Sequence, residues 1–187
     1  MVYSPPQPLS LAAFLAEPET QPAREYLNGQ IVTKPMPQGH HSVIQGELVN
    51  VINGVVKPSK VARAFPKLRC SFGNWAIVPD VSVFTWDRVP RADTGRIANV
   101  FALAPDWLIE ILSPDQSSTK VIKKIISALQ NGTQMGWLID PEEETLFVYR
   151  PKQEIAVFEL SAVSLPMPAF MGAFTLTTQV LFGWLME

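Results

Sequence analysis

Two apolar runs with one helix's length of chain between them constrain this sequence more than any other feature. The first, Trp107-Leu108-Ile109-Glu110-Ile111-Leu112, does not alternate apolar with polar residues, so it reads as a strand buried on both faces. Ser113-Pro114 closes it, and Ser117 or Ser118 can cap a helix whose apolar stripe is Val121, Ile122, Ile125, Ile126 and Leu129. Asn131-Gly132 supplies the C-terminal stop, and Trp137-Leu138-Ile139-Asp140 forms the second run. A strand, a helix and a strand of these lengths close as a crossover that sets the second strand parallel to the first. The predicted class is therefore α/β, with a mixed central β-sheet flanked by helices and one domain over residues 1–187.

The flanking segments fit this scheme. Ser10 can cap a short helix over residues 11–16, which Pro18 stops. Residues 24–27 and 30–33 flank Asn28-Gly29, a dipeptide suited to the positive φ angles of a tight hairpin. Val43, Ile44, Leu48, Val51, Ile52 and Val55 recur at helical spacing over residues 42–56. Residues 60–72 and 75–85 read as two antiparallel strands joined at Gly73-Asn74. Residues 86–105 read as a long excursion with one helical turn near 97–101. Further strands are expected over 145–149 and 155–160, and a last amphipathic helix carries Val180, Leu181, Trp184 and Leu185.

Composition excludes several classes. At 47% apolar and 17% charged residues the chain has the make-up of a packed globule. A net charge of −2 gives no overall attraction to nucleic acid, so any such binding must come from a local basic patch or from metal. Cys70 is the only cysteine, which rules out an internal disulfide and a zinc site built on several thiolates. Residues 1–6 lack the charged flank and apolar stretch of an export signal, and a cytoplasmic location is expected. The tail over 161–187 is apolar-rich, but Pro166, Pro168 and Gly172 interrupt it well short of a membrane span. It reads as core or interface, and suggests a homo-oligomer, in the simplest case a dimer.

The chemistry centres on two embedded acids. Glu110 is the only charge in its run, and burying an unpaired carboxylate costs several kcal/mol. Asp80 sits in a second apolar run, residues 76–84, where Pro79 forces Val78 to be extended. If the two strands are neighbours, the carboxylates repel unless a cation lies between them. Paired carboxylates without a cysteine or histidine cluster suit Mg²⁺, with Mn²⁺ as a substitute. A salt bridge or a place at the strand's open end would serve Glu110 equally well on pattern alone.

The segments Val78-Pro79-Asp80-Val81-Ser82, residues 105–114 and Asn131-Gly132 through Pro141 resemble those of the Uma-two family of restriction-endonuclease-like proteins. Glu25-Tyr26-Leu27-Asn28-Gly29, the helix led by His41 and Phe182-Gly183-Trp184 extend the likeness over nearly the whole chain. The resemblance implies a PD-(D/E)XK nuclease-like core in which Asp80 and Glu110 bind metal. In that motif a lysine follows two residues after the second acid, but Leu112 stands there. The resembling family supplies the lysine from the next helix, which matches it to Lys124. Lys124 lies beside Val121 at the edge of the stripe, from which its ammonium can reach back over the sheet. Lys120, Lys123 and Lys124 would otherwise be a solvated helix face.

Members of the superfamily often add an acid from the first core helix. Glu47 is the candidate, and Glu25 is a second, although a strand-edge acid is ordinarily exposed. His40 and His41 are adjacent and point in different directions on a helix, so they read as helix-start or surface residues. Arg88, Arg91 and Arg96 in the excursion, with Lys120, are the candidates for phosphate contact. The leading expectation is a Mg²⁺-dependent endonuclease acting on DNA. RNA or a branched intermediate would suit the same site, and a catalytically inactive nuclease fold used for binding or assembly is the alternative that Leu112 and the acidic charge favour.

Overall fold

The computed structural model describes residues 9–114 and 116–186; residues 1–6, read above for an export signal, lie outside them. Ser10 caps α1 (Leu11–Ala16) by accepting from Ala13 N at 3.2 Å. β1 (Arg24–Leu27) and β2 (Gln30–Thr33) form the hairpin around Asn28-Gly29, both at positive φ. α2 (Gly39–Val56) begins three residues before the apolar periodicity does, and packs through His41, Ile44, Gln45, Leu48, Ile52 and Val56. No helix among the described residues is long and apolar enough to cross a membrane.

The next stretch departs from the expectation of two long strands. Each run breaks in two, giving β3 (Ala62–Pro66), β4 (Cys70–Phe72), β5 (Trp75–Ile77) and β6 (Val81–Thr85). The tip, β4 with β5, joins β1 and β2 in a four-stranded sheet of order β2-β1-β5-β4. The stem, β3 with β6, instead belongs to a six-stranded sheet. Propensity reads both halves as extended, and only packing reveals that the ribbon passes from one sheet to the other. One crossing lies around Lys67, at positive φ, and the other at Val78-Pro79-Asp80.

The crossover forms as expected. β7 (Trp107–Ile111), α3 (Ser118–Gln130) and β8 (Met135–Asp140) make it, with β8 parallel to β7. β9 (Thr145–Tyr149) and β10 (Ala156–Phe158) complete the order β10-β9-β8-β7-β6-β3. α4 (Thr178–Gly183) ends the chain with a 3₁₀ turn over Trp184–Met186. In the excursion the helical turn falls at Trp86–Arg88; Ile97 and Phe101 instead make isolated bridges with Arg91 and Cys70.

Alternation along the strands divides the core. Trp107, Ile109, Ile111, Trp137 and Ile139 face α2 and the C-terminal segment. Leu108 and Leu138 face α3 and the smaller sheet, with Val121, Ile125, Cys70 and Ile77. Close approach of α3 requires Gly136, since a Cβ there would stand 2.4 Å from Ile125 Cγ2, a branched atom that cannot swing away. Gly136→Ala is expected to cost about 1–3 kcal/mol through overpacking, read as a lowered urea midpoint at unchanged slope; an unchanged midpoint would show that α3 has slack there.

Candidate active site

Six segments converge where the smaller sheet diverges from the larger. Val81 pairs with Ile109 across the antiparallel β6–β7 ladder, so one residue further Asp80 stands opposite Glu110. Both are buried. Asp80 Oδ2 accepts from Ile111 N at 2.9 Å, standing in for a backbone acceptor where the ladder has ended. Gln45 holds the Asp80 carbonyl at 2.6 Å, and His41 Nε2 lies 3.1 Å from Asp80 Oδ1.

The lysine of α3 reaches Glu110. Lys124, expected at the edge of the apolar stripe, lies fully on its buried side, while Ile126, expected on the stripe, turns outward. Its Nζ is 2.8 Å from Glu110 Oε1 and donates to both oxygens of Glu25, at 3.1 and 3.0 Å. Glu25 is thus no exposed strand-edge charge: it is buried and also accepts from Val78 N at 2.8 Å, tying β1 to the crossing beside Asp80. The contact to Glu110 Oε1 is off hydrogen-bond geometry, leaving that oxygen buried beside a charge but without a directed donor.

Lys34, just after β2, completes the chain of charges. Its Nζ donates to Val78 O at 2.8 Å, Asp80 Oδ1 at 2.8 Å and Glu110 Oε2 at 3.3 Å. Glu25, Lys124, Glu110, Lys34, Asp80 and His41 therefore alternate in sign or polarity along one buried line. Burial opposes the charge on Lys34, but the fields of Glu110, Asp80 and Glu25 outweigh it and hold its pKa above the usual lysine range. Burial likewise raises Asp80, yet Lys34 and the His41 hydrogen bond prevail and hold it well below the usual carboxylate range. Glu110 goes the other way: burial raises its pKa, and Lys124 and Lys34 offset this only in part.

Two cavities on this line reach Lys34. One, of about 140 Å³, reaches Lys34, His41 and Asp80 past Lys67 and Arg69. The other, of about 280 Å³, is lined by Glu25, Lys34, Lys120 and Lys124. The structure thus brings together Asp80, Glu110, Lys124 and Glu25, with Lys120 at the edge, but not Glu47, which lies two residues from Gln45 on another face of α2 and makes no contact with the line. Arg88 is also elsewhere. It holds buried Asp106 and Ala104 O, and Asp106 lies four residues before Glu110, roughly 13 Å along an extended chain. Arg96 is exposed in the same excursion. His41 is buried rather than a surface residue, while His40 is exposed. Sequence reading missed Lys34, Gln45, Lys67 and Arg69; only the buried stripe His41, Ile44, Gln45, Leu48 carried a signal for any of this set, through its two polar members.

This α/β fold, with two acids facing one another across neighbouring strands, matches proteins described as nucleases. The model of the Uma2 (Uma-two) family, described as "Putative restriction endonuclease", matches residues 11–179, so the chain belongs to that family. A crystal structure described as a "putative nuclease belonging to DUF820" from Anabaena variabilis is 58% identical, with a TM-score of 0.94 over 95% of this chain and 99% of that one. No curated protein matches.

Lys124→Met is expected to cost about 3–5 kcal/mol, because it leaves Glu25 and Glu110 buried without their shared ammonium. Adding Glu25→Gln should recover part of the loss, and strictly additive urea-unfolding energies in that cycle would disprove the coupling. The depressed pKa of Asp80 has a definite sign: its stabilisation is complete above the unfolded value of about 4 and is lost as pH falls below it. In chelator, unfolding free energy should therefore drop more steeply from about pH 5 to pH 2 in the native chain than in Asp80→Asn; parallel curves would refute this.

Proposed function

We propose that the protein is a metal-dependent endonuclease that hydrolyses phosphodiester bonds in DNA, with Asp80 and Glu110 holding Mg²⁺ or Mn²⁺. The observation that carries this reading is the placement of the two acids opposite one another, with a cation, Lys34 Nζ, already between them at the inner end of an open cleft. That ammonium stands in for the charge a metal would bring. The donors suit the ion: two carboxylates and the Val78 carbonyl are hard oxygens, and Mg²⁺ ordinarily takes one or two protein carboxylates and fills its shell with water and phosphate. Among the described residues no three His, Cys, Asp or Glu side chains converge so as to hold a metal ion, so the side-chain donors proposed are these two acids alone. Glu110 Oε1 faces the Lys124 ammonium at 2.8 Å, which leaves Oε2 as the oxygen turned toward the cleft.

Bound there, the ion would polarise a phosphoryl oxygen and lower the pKa of a coordinated water. The chain's own residues supply the rest. Ile111 N and His41 fix the Asp80 carboxylate. Lys124, clamped by Glu25, holds Glu110 and sets a positive charge behind it, the role in which it would be the third group of the site. Lys67 and Arg69 at the mouth of the cleft, and Lys120 beside the second cavity, would meet the phosphate backbone.

A second reading has its own support. Leu112 is partly buried against the α3 side of the core, and Lys34 satisfies both acids with no metal, as an inactive fold used for assembly would require. A cleavage assay decides between them. Supercoiled DNA should be cut in Mg²⁺ or Mn²⁺ and left intact in chelator, with Asp80→Asn and Glu110→Gln each slower by about a hundredfold or more. Undiminished cutting in chelator, or by Asp80→Asn, would end the nuclease reading at this site.

A further inference from the structure

An ammonium has three donors, and Lys34 has all three committed at one point, to Val78 O, Asp80 Oδ1 and Glu110 Oε2. This is a set of oxygens that would also suit a divalent cation. The two occupants cannot share it, because Nζ bridges the carboxylate oxygens through which a metal would bind.

Charge and access indicate which occupant can yield. Glu25, Asp80 and Glu110 face only Lys34 and Lys124, so apart from His41 the line carries one negative charge too many. Exchange of the singly charged ammonium for a doubly charged ion would neutralise it. Lys124 borders the second cavity, but its side chain is only 2% exposed and is held on α3 between two carboxylates. Lys34 follows the end of β2, its side chain is 11% exposed, and it lines both cavities. Its flexible side chain ends beside open space on two sides, the room that an expelled ammonium needs.

We propose that Lys34 is an exchangeable internal counter-ion: it occupies the cation position between Asp80 and Glu110 in the metal-free chain, is expelled into the cleft when a divalent cation enters, and thereby sets the metal concentration at which the site loads. This rests on the metal-site reading above. It gives Lys34 two positions, one that keeps the metal-free site folded and one that adds a positive charge beside Lys67 and Arg69 at the cleft mouth once metal is bound.

Calorimetric titration of Mg²⁺ or Mn²⁺ into the full chain, without nucleic acid, tests it. Lys34→Met should bind either ion about tenfold to a hundredfold more tightly than the native chain, the factor that one or two charge-assisted hydrogen bonds represent. Equal affinity overturns the counter-ion role and leaves the metal site standing; no binding by either chain overturns both. If Lys34→Met does not fold, reductive methylation of the native chain read by mass spectrometry gives the same answer. Lys34 should react slowly in chelator and faster in saturating Mn²⁺, measured against exposed Lys120. A Lys34 rate that metal leaves unchanged overturns the inference.

Discussion

Buried carboxylates without enough counter-charge are the constraint around which the rest of this structure is arranged. Glu25, Asp80 and Glu110 lie out of water, and each would cost several kcal/mol alone. Lys34 and Lys124 are threaded between them, so each ammonium serves two acids. The segments that carry these groups are a hairpin of the smaller sheet, the turn after it, a crossing between sheets, a central strand and a helix on one face, and they also share the β6–β7 ladder and the apolar core beneath α3. The ion line joins the two sheets at the point where their backbone ladders part.

That junction has a chemical consequence. A site made only of apolar contacts would be stable and inert, and one made of fully matched ion pairs would have no affinity for another ion. Here the acids outnumber the lysines, and the pKa shifts are opposed: Asp80 is held ionised while burial raises Glu110. A cation able to replace a lysine would remove both the surplus charge and the penalty on Glu110. The oxygens that hold the two lysines and stabilise the fold are the same set that the proposed metal would use.

The elements legible in the sequence were those set by local chemistry. Asn28-Gly29 specified its hairpin, Ser10 its cap, and the strand–helix–strand spacing its parallel crossover. Asp80 and Glu110 stood out because a charge in an apolar run demands a partner. Family resemblance pointed to Lys124, whose position on α3 permitted the contact without requiring it. The division of residues 60–85 between two sheets was not legible, since both halves of each strand are extended and propensity does not say which neighbour a strand will find.

What the sequence by itself determined, then, was the α/β class, the crossover and the two acids, because periodicity, turn chemistry and the cost of burying charge act within a few residues. Only the tertiary structure decided that Lys34 lies between those acids, that Glu25 is buried against Lys124, and that His41 and Gln45 face Asp80 while Glu47 does not. Those contacts join residues between 35 and 99 positions apart. Their partners are chosen by where the two sheets diverge, a global outcome of packing that no local pattern encodes.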